Sequence, residues 1–444
     1  MLQHKNLKRW LVSTAVLSIL PSITWASGFA LIETNARGQG NAYAGAAAYT
    51  PDASTIFFNP AGMMSVAEDQ LVLASHIISP SSSFTNDGSK NAAAVGGTPL
   101  TGPGDDGGFD ALVPNLYWVR TLDESMKVGV GINSPFGLAI KYDDTWVGRY
   151  HAVVSDLKII NFNPSIAYRV NEQLSVGGGL NMMLADVLLS SAVDFAALLG
   201  QTPGSDDGFA ELTGDNLSNP GFGINMGLQY AMTDQTILGV AYRSEVDVSV
   251  EGEADFSVPA SAALLVAGGR FVDTGLTAEI TLPASLSVSV AHKMDKITFL
   301  ADMTWTGWSS FEELRVVYEN TLQPDSVTTE DWSDTMRYSL GMDYQYSDQL
   351  VLRTGVALDE TPVPSAERRT PRLPGNDRTW ISFGASYQID DDLSVDVGYS
   401  HLFFDDTDIN NELESDTSNN VKATLSGTYD ASVDIISVQL NWNY

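Results

Sequence analysis

From residue 436 to residue 444 the chain alternates without a break. Ile436, Val438, Leu440, Trp442 and Tyr444 are apolar, and Ser437, Gln439, Asn441 and Asn443 between them are polar. A repeat of two sends alternate side chains to opposite faces of an extended strand, one greasy and one wet. The other end of the chain says where such a strand would work. Lys5, Lys8 and Arg9 make a basic start, residues 11–20 are mostly apolar, and Thr24-Trp25-Ala26 puts small residues at the −3 and −1 positions. That order reads as a signal peptide over residues 1–26, cleaved before Ser27. The apolar run is too short to cross ~30 Å of hydrocarbon as a helix. An exported chain with strands of this kind points to an all-β membrane protein, an outer-membrane β-barrel.

Composition narrows the choice. Beyond the signal peptide there is no apolar run of the ~18 residues that a membrane helix needs. A closed barrel is then the remaining way to span a bilayer, because lipid cannot satisfy an open sheet edge. The formal charge is −32, and loss of Lys5, Lys8 and Arg9 with the signal peptide makes it more negative. Such a chain does not hold phosphate backbones by counterion release, which excludes nucleic acid as a partner, and it does not attract anionic surfaces. Pairs such as Asp105-Asp106, Asp143-Asp144, Asp206-Asp207 and Asp405-Asp406 fall in candidate loops facing water, as they would in any acidic soluble protein. There is no cysteine, so disulfides, thiolate metal sites and thiol nucleophiles are excluded.

Short turns and long loops alternate along the chain. The turns fall at residues 122–126, 171–173, 232–235, 293–296, 347–349 and 390–392, and most carry the Asp or Asn that tolerate tight backbone. The loops fall at 80–110, 134–157, 191–220, 251–276, 310–334, 359–378 and 404–430, and are rich in Gly, Pro, Ser, Asp and Thr. Six turns and seven loops connect fourteen strands. A rim of short turns opposite a rim of long extracellular loops is the outer-membrane pattern. Trp118, Trp146, Trp305, Trp308, Trp332, Trp380 and Trp442 lie in or near strand ends and read together as interfacial girdles. Residues 27–69 are rich in Ala and Gly, lack a strong period, and are too few for a core of their own. They are expected to form a plug inside the barrel of residues 70–444.

Several segments then become recognisable. Gly28-Phe29-Ala30-Leu31, the stretch from Gly38 to Gly45, and Asn59-Pro60-Ala61 follow one another as in the FadL family of outer-membrane transporters. So do Asn133-Ser134-Pro135-Phe136-Gly137-Leu138, Trp146-Val147-Gly148-Arg149-Tyr150, Tyr242-Arg243-Ser244-Glu245-Val246, Trp305 to Phe311, Thr361-Pro362-Val363-Pro364, and Asn376-Asp377-Arg378-Thr379-Trp380. Nine motifs in order, from Ser27 to Tyr444, resemble that family throughout. The resemblance implies a fourteen-stranded barrel with an N-terminal hatch. It implies a monomer without cofactor or metal that carries long-chain fatty acids, or in some branches aromatic or other hydrocarbons. It also implies a route: capture at a greasy extracellular groove, transfer to an internal pocket, and escape as the hatch rearranges or sideways at a kinked third strand. No energy source is visible, so uptake is expected to be diffusive.

The residues suit that route. Pro135 removes a ladder donor and Gly137 frees the backbone, so a strand carrying Asn133, Ser134, Pro135, Phe136 and Gly137 must bend or break. A break exposes backbone groups that lipid cannot satisfy, so something inside must pair with them. By resemblance Asn59, Pro60 and Ala61 pack near this gap, with the Asn59 amide offering donor and acceptor, and Phe29 and Leu31 are hatch residues that touch ligand. The resemblance also places basic side chains near a fatty acid carboxylate. The corresponding stretch from Asn181 to Ala192 has no Lys or Arg, nor has the stretch from Trp332 to Met336. Arg243 and Arg337 remain as carboxylate partners, and neutral hydrocarbons stay open as the alternative substrates. Enzyme readings are weaker. His151 and Ser155 are the one pair that could begin an outer-membrane lipase, and a purely adhesive barrel is the third class. Asp406, Asp408 and Asn410 open a calcium loop, but Asn411 stands where glycine is required and Thr417 where the bidentate acid belongs, so no EF-hand is expected.

Overall fold

The computed structural model describes residues 28–414 and 423–444; the expected signal peptide and Thr417 lie outside them. Fourteen antiparallel strands close on themselves. Strand β1 (Gln70–Asn86) pairs with both β2 (Ala111–Asp123) and β20 (Thr424–Asn443), which joins the first wall strand to the last. The wall continues through β3 (Met126–Lys141), β4 (Val154–Arg169), β5 (Leu174–Asp194), β7 (Gly221–Thr233) and β8 (Thr236–Arg243). It returns through β11 (Ser285–Met294), β12 (Ile297–Thr306) and β15 (Thr335–Gln345). The circuit ends with β16 (Leu350–Asp359), β17 (Arg378–Gln388) and β18 (Leu393–Phe404).

Six further strands stand beyond the long-loop rim. β6 (Asp207–Asp215), β9 (Val246–Ser257), β10 (Thr274–Leu282), β13 (Glu313–Tyr318) and β14 (Ser326–Thr329) extend the far end of β5 as one ladder. β19 (Thr407–Glu412) pairs with β20. Parts of the stretches expected as irregular loops at 191–220, 251–276 and 310–334 are therefore ordered sheet.

The wall is greasy outside and polar inside. In β20, Ile436 and Val438 are 55% and 51% exposed while Ser437 and Gln439 are fully buried. Leu340, Leu358 and Phe383 likewise face outward on other strands. This inverts the usual soluble arrangement and suits a cylinder bathed in lipid. Among the described residues no helix is long and apolar enough to cross a membrane. The tryptophan expectation holds only in part. Trp118 and Trp442 are half-buried beside Tyr444, whose hydroxyl accepts from the Trp118 indole. Trp146, Trp308, Trp332 and Trp380 are buried instead. Strand parity separates the cases: Trp380 shares its face with inward Arg378 and Ser382, which nearness to a strand end does not reveal.

The leading segment, residues 28–69, is surrounded by the inner faces of the wall. The Ala36 amide donates to Gln439 (3.0 Å) on β20 and the Ala47 amide to Ser289 (3.0 Å) on β11, while Arg169 of β4 donates to the Met64 carbonyl (2.8 Å). Its backbone lies so close to the wall that a Cβ on Gly384 would sit 2.6 Å from the Cα of Gly40. One side is bound by charge. Arg37 reaches Asp52 at 3.2 Å and Asp396 at 3.8 Å, and Arg353 bridges Asp396 (3.2 Å) and Asp343 (3.1 Å). Asn41 adds a 3.0 Å bond to Asp343. Buried ions are tolerable only when so paired, and here the pairing ties the leading segment to β15, β16 and β18.

Candidate functional site

The opposite side of the lumen has a defect in the wall. The β2–β3 ladder ends at Leu116–Ile132. On its other edge β3 pairs Asn133 with Asn161 and then Phe136 with Ile159, so Ser134 and Pro135 form a bulge. Further along, the Lys141 amide donates to Gly107 (3.0 Å), whose own amide donates to Ser82 (3.2 Å), and this closes the wall again. Between these limits lies a window beside β3. The free backbone there is met from inside: the Leu31 amide donates to the Pro135 carbonyl and the Gly137 amide to the Phe29 carbonyl, both at 2.8 Å. Ala30 thus pairs with Phe136 as a one-residue bridge. The bend expected at Pro135 and Gly137 and the need for an inner partner are both visible here.

The partner differs from the expected one. Asn59 does not bond to the kink. Its Nδ2 donates to the carbonyls of Ala47 (2.8 Å) and Leu228 (2.9 Å), its Oδ1 accepts from the Ala61 amide (3.1 Å), and Pro60 and Ala61 rest against Gly177. This motif therefore seats the leading segment on β5 and β7. Only backbone can complete a broken ladder in register, and Phe29 to Leu31 supply it.

Phe29 to Leu31 also separate two cavities. On the long-loop side the Phe29 ring packs against Trp308 (4.8 Å between centroids), Phe311 (5.6 Å), Trp332 (5.7 Å) and Phe136 (6.0 Å). Leu138, Leu157, Val187 and Leu276 extend this apolar lining, and Glu330 and Arg372 stand at its edge. Glu330 is buried and accepts from the Trp332 indole (2.9 Å), and burial pushes its carboxyl up to about 8. Arg372 donates to the Ser155 hydroxyl (2.7 Å) and the Val154 carbonyl (3.0 Å).

The second cavity is bounded by Leu31, Phe57, Pro60, Pro135 and Phe136, with Arg243, Arg337 and Arg378 among its polar groups. Arg378 is neutralised by Asp359 at 2.6 Å. Arg243 donates to Asn181 and to the Phe57 carbonyl (3.0 Å), and Arg337 to the Ala42 carbonyl (2.9 Å). Among the described residues neither has a carboxylate at ion-pair distance, and two nitrogens of Arg337 have no hydrogen-bond partner. Both arginines expected from the sequence therefore line the second cavity, and Arg337 has capacity to spare. Arg372 escaped that reading, although Arg368, Arg369, Arg372 and Arg378 form a basic cluster that stands out in so acidic a chain. His151 and Ser155 are not bonded to each other: His151 bonds to the Asn411 carbonyl (3.1 Å), and Ser155 to Arg372. No metal-holding cluster occurs among the described residues.

The sequence profile of the family described as Outer membrane protein transport protein (OMPP1/FadL/TodX) matches residues 17–444. The chain belongs to that family. It is 34% identical over 406 residues to the 47 kDa outer membrane protein of Pasteurella multocida, covering 87% of this chain and 90% of the relative. It is 29% identical over 413 residues to the long-chain fatty acid transport protein of Salmonella typhi, covering 89% and 91%. The crystal structure of a Pseudomonas aeruginosa FadL homologue superposes with a TM-score of 0.86 at 25% identity, covering 94% of this chain and 99% of that one. Like these FadL-family relatives, the chain is a transport protein of the Gram-negative outer membrane.

Proposed function

We propose that this protein takes up long-chain fatty acids by diffusion, in a monomeric barrel that needs no cofactor. Ligand is caught among the long extracellular loops and enters the apolar cavity beside Phe29. It moves on when the leading segment, acting as a hatch, releases β3, and it leaves sideways through the window at Pro135 or past the displaced hatch. The observation that carries this reading is the pair of backbone bonds from Phe29 and Leu31 to the kink. The same three residues line the cavities and stopper the breach, so a ligand that shifts Phe29 also loosens the stopper. Arg372 at the mouth and Arg243 and Arg337 deeper in offer partners to a carboxylate, whose burial without one is costly.

Two observations favour neutral hydrocarbons as the second reading: the lining around Phe29 is almost wholly apolar, and the β5 stretch from Asn181 to Ala192 carries no base. Uptake by a deletion strain, with and without this protein, across fatty acids, alkanes and alkylbenzenes decides between them. Restored uptake of fatty acids is the expected result. Restoration by hydrocarbons alone supports the second reading, and restoration by neither class overturns both.

A further inference from the structure

Four asparagines and one arginine form a continuous polar belt across the inner wall, from the window to the second cavity. Asn133 (β3), Asn161 (β4), Asn181 (β5), Asn225 (β7) and Arg243 (β8) stand on strands that are neighbours in the barrel and are all buried. The Asn161 amide donates to Asn133 (3.3 Å) and to Asn181 (3.0 Å), and that of Asn181 donates to Asn225 (3.4 Å). Arg243 donates to Asn181 and stands directly opposite Asn225 in the ladder, as Asn133 does opposite Asn161. With strands about 4.8 Å apart, the belt covers roughly 19 Å of wall.

Such a belt is not needed to fill space. Buried amides are costly unless bonded, and apolar side chains could pack there. This one is also left incomplete. Asn133 Nδ2, Asn161 Oδ1 and the neighbouring Tyr117 hydroxyl have no hydrogen-bond partner of good geometry. The loosely held donor, Asn133 Nδ2 beside the Tyr117 hydroxyl, thus lies at the window end. At the cavity end the leading segment covers the belt, with Asn225 bonded to the Ile56 carbonyl (3.4 Å) and Arg243 to that of Phe57.

We propose that the belt is a head-group track, along which the polar end of an amphipathic substrate slides from Arg243 to the window at Asn133. The inference rests on the uptake route above and narrows its substrate to amphiphiles, a carboxylate foremost. A carboxylate reaching Arg243 displaces the Phe57 carbonyl and uncovers the amides behind it. Each amide then offers donors to the head, while the tail stays on apolar side chains. Amides suit this purpose because they carry no net charge: passage requires sites that bind well enough to be entered and weakly enough to be left. A row of arginines would trap the anion, and a neutral hydrocarbon would gain nothing from either.

The test compares Asn133→Leu, Asn161→Leu and Asn181→Leu with the native chain. Two quantities are measured: initial uptake of a labelled long-chain fatty acid by cells, and its binding to purified protein in detergent. Uptake is expected to fall about tenfold, the scale of one lost hydrogen bond to a charged group, with binding at the Phe29 cavity kept within about twofold. Asn133→Gln, which keeps the amide, is expected to restore uptake. Normal uptake in all three leucine variants overturns the track, as does an equal loss of binding or a failure of Asn133→Gln to rescue. The route is tested separately by Ala30→Cys with Phe136→Cys in this cysteine-free chain. Uptake that continues after oxidation sinks the route itself. Uptake that stops on oxidation, yet is normal in the leucine variants, sinks only the track.

Discussion

The leading segment is held differently on its two sides. Toward β15, β16 and β18 it is bound by buried ion pairs among Arg37, Asp52, Asp396, Arg353 and Asp343. At the kink of β3 it is bound by two backbone hydrogen bonds and by the packing of Phe29, apart from the seat that Lys127 and Gly129 give Val66, Ile56 and Met63 lower on the same strand. Separating the first side strands charges out of water; separating the second strands two peptide groups, which an arriving ligand or water can satisfy. The charged side is therefore the anchor and the β3 side the latch: motion of the segment should begin at Phe29 and leave Arg37 in place.

The most severe way to break this asymmetry is Asp396→Ala, which leaves half-buried Arg37 and buried Arg353 without their shared partner. A loss of about 3–5 kcal/mol is expected, seen as a lower unfolding temperature in detergent and as leakiness to antibiotics that the native barrel excludes. Next comes Phe29→Ala, expected to loosen the latch by about 3 kcal/mol. Protease should then clip the N-terminal residues while barrel unfolding stays where it was; protection equal to the native chain would mean that Phe29 is not the latch. Pro135→Ala restores a donor to β3 and changes little buried volume. Stability should move by less than about 1 kcal/mol while uptake falls several-fold, and unchanged uptake would count against the lateral exit.

The smallest effect is one of pH. Glu330 anchors Trp332, which packs on Phe29, and the Glu330 carboxyl is raised to about 8 by burial. The folded chain keeps a proton that the unfolded chain releases in the ordinary carboxyl range. The latch is therefore tightest below that range and weakens as pH climbs through about 8. Protection of the Leu31 and Gly137 amides from hydrogen exchange, taken relative to the base-catalysed intrinsic rate at each pH, should fall over that interval in the native chain and stay level in Glu330→Gln. Protection of the Ala36 amide, on the anchored side, should stay level.

Much of the latch was legible in the sequence, and almost none of the anchor. Pro135 and Gly137 fit a broken strand or a loop beginning at residue 134, and the family resemblance is what favours the strand; strand counting needs only the period of two and the turn residues. The Arg37–Asp52–Asp396 cluster has no spacing to detect, because its members meet only when the barrel closes around them. The destination of Asn59 was misjudged for a related reason: an amide shows that it can bond, not which carbonyl it will find. The outer ladder was hidden because Glu251, Glu253 and Asp255 make the far part of β9 read as a loop, although Val246, Val248, Val250 and Ala254 of the same strand are buried on one face.

The seam between β1 and β20 has a consequence for how this molecule comes into being. Gln70 to Asn86 pairs with Asn443 to Gly427, so the circuit has no lasting closure until the last stretch of polypeptide arrives. The stopper is attached directly to the first stave. It is walled in as the final stave docks, rather than pushed through a finished pipe. Shortening the C-terminus should therefore cost more than one stave: it leaves an open trough with its contents unconfined.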